Sequence, residues 1–184
     1  PLASAGFLAA ALSWGWPTGG FAVAVLVALV LSAAGDLLLI PKATRYFAAG
    51  LGSFLLGHLG FGAAFVVRGV SPLWLGVAAV PVAAAALIVH RWLRDHVPDR
   101  LRIPVIAYIA VISVMVIGAV GTIGFRADRQ GQLLLAGALC FWASDLAVAR
   151  NRFISEGFVN RSWGLPLYYG AQILFALSLG QAGA

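Results

Sequence analysis

The sequence predicts an all-α protein, a polytopic bundle of transmembrane helices. Two observations carry this. Hydrophobic residues make up 62% of the chain and charged residues only 10%, with a mean hydropathy of +0.98; a soluble domain is about 25% charged and 45–50% apolar. The apolar residues also fall into seven runs, several of them roughly 18–22 residues long, the length at which a helix crosses a bilayer. No repeat, linker or second domain interrupts them, so residues 1–184 read as one transmembrane domain.

The runs follow one another closely. The first, 2–16, is short and ends at Pro17-Thr18-Gly19-Gly20. The second, 20–40, is closed by Pro41, and the third, 46–67, is rich in glycine and serine. The fourth, 73–93, contains Pro81, where a lost helix hydrogen bond predicts a kink. The fifth, 103–124, and the seventh, 163–180, carry Pro104 and Pro166 where a first helical turn accepts proline. The sixth covers 130–150. Short connections predict that sequence neighbours pack antiparallel.

A net charge of +6 would suit nucleic acid, but the basic residues sit at the ends of apolar runs. That is the pattern of topology signals and lipid-headgroup contacts, so no nucleic-acid partner is expected. The loops after the second, fourth and sixth runs hold nine basic residues, Lys42, Arg45, Arg91, Arg94, Arg100, Arg102, Arg150, Arg152 and Arg161; the other side holds three, Arg68, Arg126 and Arg129. The Lys42 side therefore reads as cytoplasmic, with the C-terminus opposite by parity. The one cysteine, Cys140, rules out a disulfide within the chain. The first residues lack the basic start of a cleavable signal peptide.

Of six acidic residues, Asp95, Asp99, Asp128 and Glu156 fall in loops, where solvated surface is the plain reading. Asp36 and Asp145 lie inside runs. An ionised carboxylate in hydrocarbon is costly and needs a partner, a water path or a function. Each lies four or five residues from the cytoplasmic end of its run, so both sit about 6–8 Å below that edge. Equal depth on different helices suggests one shared site. The structural alternative is that each separately pairs with the arginine at its helix end, Arg45 or Arg150. Two carboxylates close together in a poorly solvated cavity favour one protonated acid beside one ionised base.

His58 is the one histidine deep within a run; His90 and His96 flank the end of the fourth. Gly50, Phe54, His58 and Phe61 share a helix face by their spacing; a hydrogen-bonded packing role competes with a catalytic one. With two acids, His58 would give three metal ligands, but no His-x3-His pair strengthens that reading, so neither metal nor cofactor is expected. Tyr168 and Tyr169 start the seventh run on the same side as the acids. They serve either an interfacial aromatic belt or the site, by donating a hydroxyl. Ser53-x3-Gly57 and Gly60-x3-Ala64 suit close helix packing.

These residues carry a resemblance. Gly35-Asp36 closing one span, Gly50-x3-Phe54-x3-His58-x2-Phe61 in the next, and Ser144-Asp145 in the penultimate span, in that order, resemble the YhhN family of integral-membrane lysoplasmalogenases along essentially the whole chain. Family members typically have about eight spans, the second opening with Lys-Pro-Leu. The chain opens with Pro1-Leu2, so a further helix and a lysine are expected upstream. Phe61 stands where a tyrosine is usual.

The resemblance implies hydrolysis of the vinyl ether bond of lysoplasmalogens to a fatty aldehyde and glycerophospho-choline or -ethanolamine. The expected partners are a lysophospholipid, water and membrane lipids. The residues suit that chemistry: Asp36 and Asp145 would share acid and base roles, with His58 assisting. Lys42 and Arg45 would hold the phosphate, with Tyr168, Tyr169 and Ser144 as further substrate contacts. The rival classes are another membrane lipid hydrolase, including a metal-dependent one, and a proton-coupled transporter or lipid-binding protein that relays protons through the two aspartates. Small size and composition point to a bacterial inner membrane, with the site nearer the cytoplasmic side.

Overall fold

The computed structural model describes residues 2–13, 18–41 and 43–181. Among them lie seven helices and no strand: α1 Leu2–Leu12, α2 Gly20–Leu38, α3 Thr44–Arg68, α4 Pro72–Leu93, α5 Asp99–Phe125, α6 Arg129–Phe153 and α7 Phe158–Leu179. Five of them, α2 to α6, are long and apolar enough to cross a membrane by length and composition. The chain is thus an integral, multi-pass membrane protein. α7 has 22 residues but is more polar, carrying Asn160, Arg161, Ser162 and Gln172.

The helices match the predicted runs, with two displaced starts. α5 begins at Asp99 and α7 at Phe158, so Pro104 and Pro166 lie inside helices rather than in first turns. Packing explains the extension of α5. Asp99 pairs with Arg102 at 3.0 Å, one turn on, and Leu101 is buried with Phe47, Leu93, Val97 and Val105. These contacts offset the proline's missing N–H.

Six helices close a ring in which α1 touches α2 and α7, α2 touches α3, α3 touches α5, α5 touches α6, and α6 touches α7. α4 stands outside, against α5. The expectation that all sequence neighbours pack together therefore fails between α3 and α4. The reason lies in the connection. Gly69, at φ 109°, ends α3 in a conformation that favours glycine. The Ser71 N–H then donates to the Gly121 carbonyl of α5 at 3.0 Å, which delivers α4 onto α5. Of α4's side chains only Ala78 and Leu93 are buried, so most of its surface faces outward.

The ring is filled by the face of α3 that the spacing predicts: Phe54, His58 and Phe61 are all buried. Phe61 stacks on Phe175 with ring centroids 3.9 Å apart. Phe141 meets His58, Tyr168 and Phe54 edge-on at 4.5, 5.4 and 6.1 Å. Such pairs contribute about 0.5–1.5 kcal/mol each beyond area burial. Close packing matters more than usual here, because lipid supplies no hydrophobic drive between helices. A Cβ at Gly60 would stand 3.0 Å from the Ala28 Cβ, and one at Gly35 only 2.7 Å from the Phe54 ring. Gly35 thus makes room for Phe54 beside Asp36. The Ser53 hydroxyl donates to the Leu31 carbonyl at 2.7 Å, so the small-residue motif on α3 does pack helices.

At the end remote from most basic loops, Arg68 clasps three helices. Its buried guanidinium donates to Gln130 Oε1 at 2.9 Å, to the Thr122 carbonyl at 3.0 Å and to the Asp128 carboxylate. Asp128 also caps α6 through the Gly131 N–H at 2.8 Å. Partial burial pushes the Asp128 carboxyl up, but the Gly131 N–H and the Arg68 and Arg126 guanidinium groups outweigh it and hold it below its ordinary value of 3.8. A carboxyl lowered in the folded state stabilises fully above its unfolded pKa. That contribution is lost as pH falls through the folded pKa. Thermal melting of detergent-solubilised protein is therefore expected to fall as pH drops below about 4. Asp128→Asn should flatten that limb and lower the melting temperature at pH 7.

Candidate functional site

Four of the residues singled out in the sequence, Asp36, Asp145, Ser144 and Tyr168, line one cavity of about 670 Å³, within the roughly 300–1,000 Å³ of ligand pockets. Apolar side chains of α3, α4 and α5 line it, among them Leu51, Val89, Leu93, Val105, Ile109 and Ile112. Asp36, Asp145, Tyr108, Tyr168 and Ser144 also line it. Towards the basic end it is bounded by the α6–α7 connection, with Asn151, Arg152, Ser155, Glu156, Asn160 and Arg161. The cavity lining is amphipathic, with the two aspartates on its wall.

Each aspartate has its own donors. Tyr108 donates its hydroxyl to Asp145 Oδ2 at 2.8 Å. His58 Nε2 lies 2.9 Å from the Tyr108 oxygen and 3.3 Å from Asp145 Oδ2. With the phenol proton committed to the carboxylate, the phenol oxygen accepts from His58, which places a proton on Nε2. Nδ1 is buried without a hydrogen-bond partner among the described residues. On the other side Ser4 of α1 donates to Asp36 Oδ2 at 2.6 Å. The Tyr168 hydroxyl, 3.4 Å from the Ser32 carbonyl, neighbours the Asp36 carboxyl.

Among the described residues no hydrogen bond joins the two carboxylates, and α2 and α6 are not closely packed neighbours. Neither aspartate pairs with an arginine: Arg150 donates to Asn160 instead, and Arg45 reaches only Tyr46 Oη, at 3.5 Å. The alternative of two separate arginine bridges is not what the structure contains. His58 and Asp145 are joined by no third His, Cys, Asp or Glu among the described residues.

The other expected contacts are distributed unevenly. Ser144 lines the cavity but spends its hydroxyl proton on the Phe141 carbonyl of its own helix at 2.8 Å. Tyr169 packs on Tyr168 with centroids 4.9 Å apart and is not part of the lining. Arg45 is exposed, its guanidinium over the Tyr46 ring at 4.9 Å, and does not line the cavity. Lys42 lies outside the described residues.

Tyr108, Ser4, Arg152 and Arg161 were not picked out as site residues from the sequence. For Tyr108 and Ser4 a signal exists. Tyr108 lies near the basic end of α5 and Ser4 near that end of α1, so the depth argument that paired Asp36 with Asp145 also reaches them.

Residues 2–179 match the YhhN family. The chain belongs to the YhhN family. Among YhhN relatives, a lysoplasmalogenase of Mycobacterium tuberculosis is 39% identical, the match covering 94% of this chain and 66% of the relative. Human lysoplasmalogenase TMEM86A is 35% identical over 85% of this chain and 65% of its own length. Pig lysoplasmalogenase TMEM86B is 32% identical, with 89% and 66% covered. The chain spans about two thirds of the length of these curated YhhN relatives. No solved structure matches the chain.

The polar end of the cavity is held by Asn160, which is buried. Its carboxamide accepts from Arg150 and donates to Asn151 Oδ1 at 3.1 Å and to the Ser155 carbonyl at 2.6 Å. Truncating it leaves these part-buried groups without their partner. Asn160→Ala is expected to lower stability by about 1–3 kcal/mol, read as a fall in melting temperature, whereas Ser162→Ala, at an exposed position of the same helix, leaves it within about 0.5 kcal/mol.

Proposed function

We propose that this protein hydrolyses the vinyl ether bond of lysoplasmalogens to a fatty aldehyde and glycerophospho-choline or -ethanolamine. The observation that supports it best is the amphipathic cavity, in which an apolar wall meets two aspartates partnered by hydroxyls rather than by arginines. The names of the YhhN relatives support the same reading. The alkenyl chain lies along the apolar wall, the vinyl ether at the aspartates and the headgroup towards the basic end.

The reaction needs a proton on the β-carbon of the vinyl ether. One aspartic acid delivers it, and the resulting oxocarbenium ion faces the other, ionised carboxylate. That carboxylate stabilises the cation and takes a proton from the attacking water, as paired acids do at glycosidic bonds. The hemiacetal then collapses to aldehyde and alcohol, and the proton count is restored. Tyr108 and His58 hold Asp145 in place and feed its hydrogen-bond chain. No nucleophilic serine or cysteine is required. By the positive-inside bias, the site opens towards the cytoplasm, in a bacterial inner membrane.

Purified protein incubated with a lysoplasmalogen in deuterated water is expected to release aldehyde carrying one deuterium on the carbon next to the carbonyl. Asp36→Asn and Asp145→Asn should each cut aldehyde release by about 10²-fold or more, with unchanged melting behaviour. Near-normal turnover in both variants would remove the aspartates from the chemistry. Tyr108→Phe is expected to keep the fold and lose about tenfold, the scale of one hydrogen bond to a charged group.

A further inference from the structure

We propose that the mouth of the cavity is a subsite for a zwitterionic headgroup, in which Arg152 and Arg161 take the phosphate and Glu156 takes the ammonium. This rests on the lysoplasmalogen reading above and gives that substrate an orientation. The three residues belong to the end of α6, the connection after it and the start of α7, and all three line the cavity. Two cations and a carboxylate lining one cavity match a group that carries one phosphate and one amine.

Their partners show why they remain available. Arg68, Arg94, Arg102 and Arg126 each have an aspartate within ion-pair distance. Among the described residues, Arg152 and Arg161 have none, and Glu156 pairs with no cation. Arg152 is nonetheless seated. Its guanidinium lies over the Phe47 ring at 4.5 Å and 3.5 Å from Thr44 Oγ1. An aromatic face holds the guanidinium without neutralising it and leaves its planar fork free for the two-point hydrogen bonding that phosphate accepts.

The connection that carries Glu156 is built rather than loose. Asn160 binds the Ser155 carbonyl and Asn151, and Asn151 Oδ1 accepts the Gly157 N–H at 3.1 Å. Glu156 is therefore held between two anchored residues. Fixed charges lose less freedom when a ligand binds, so their contacts weigh more in affinity.

The test uses 1-alkyl lipids, whose saturated ether cannot undergo vinyl ether hydrolysis, so binding is read apart from turnover. The full chain is titrated, with tryptophan fluorescence as readout, with 1-alkyl-glycerophosphocholine, 1-alkyl-glycerophosphate and 1-alkylglycerol. Arg152→Gln and Arg161→Gln are expected to weaken both phosphate-bearing lipids about tenfold and leave 1-alkylglycerol unchanged. Glu156→Gln should weaken the phosphocholine lipid alone. All three side chains are exposed, so the variants should melt like the parent, and the 1-alkylglycerol titration checks that the cavity is intact.

If the arginine variants bind all three lipids like the parent, or if the parent binds 1-alkylglycerol as tightly as the phosphocholine lipid, the subsite is refuted. If Glu156→Gln leaves the phosphocholine lipid unaffected, the assignment of the ammonium is refuted. A parent protein that binds as expected yet releases no aldehyde from a lysoplasmalogen would overturn the proposed activity while upholding the subsite.

Discussion

A carboxylate inside a ring of apolar helices has to be met by hydrogen-bond donors, and the choice of donor decides what the group can do. A guanidinium would lock it into a permanent ion pair. Here Asp145 is met by the Tyr108 phenol at 2.8 Å, with His58 behind it, and Asp36 by the Ser4 hydroxyl at 2.6 Å. Hydroxyls satisfy a carboxylate without a fixed counter-charge and can pass a proton. The surrounding structure serves this arrangement: the aromatic packing around Phe141 fixes His58, the missing side chain of Gly35 seats Phe54 beside Asp36, and the closed ring brings α1 and α5 to the two acids.

Much of this was legible in the sequence because it depends on position along a helix. Apolar run length gave the spans, and spacing gave the inward face of α3 with Phe54, His58 and Phe61. Distance from a run's end predicts a shared site for Asp36 and Asp145, and both line the cavity. What position along a helix cannot supply is which helices are neighbours. The ring order brings Ser4 to Asp36 and Tyr108 to Asp145, and it sets α4 outside α5 although α3 precedes it in sequence. Arg45 is close to Asp36 along the chain, but its helix turns it outward onto Tyr46 while Phe47 points inward. The α6–α7 connection crosses the cavity mouth instead, bringing Arg152 and Arg161.

The division of charge between the two ends of the molecule follows from the same logic. At one end Arg68 is buried and consumed by Asp128, Gln130 and a backbone carbonyl, a clasp that fixes three helices. At the other end the exposed Arg152 and Arg161 line a cavity that also carries apolar side chains. A lysophospholipid has the same polarity profile, from hydrocarbon through ether and glycerol to phosphate and amine. The reactive bond of a lysoplasmalogen lies where its hydrocarbon meets its glycerol, and the two aspartates share the cavity wall with both apolar and charged side chains.

The central claim is one of placement, and a structure of the Asp145→Asn variant with an intact lysoplasmalogen tests it most directly. The account predicts the vinyl ether β-carbon within about 4 Å of the Asp36 carboxyl or the substituted position, near contact distance, with the phosphate towards Arg152 and the chain along Ile109 and Ile112. A lipid bound with its vinyl ether out of reach of both positions, or with its headgroup at the apolar wall, would contradict it.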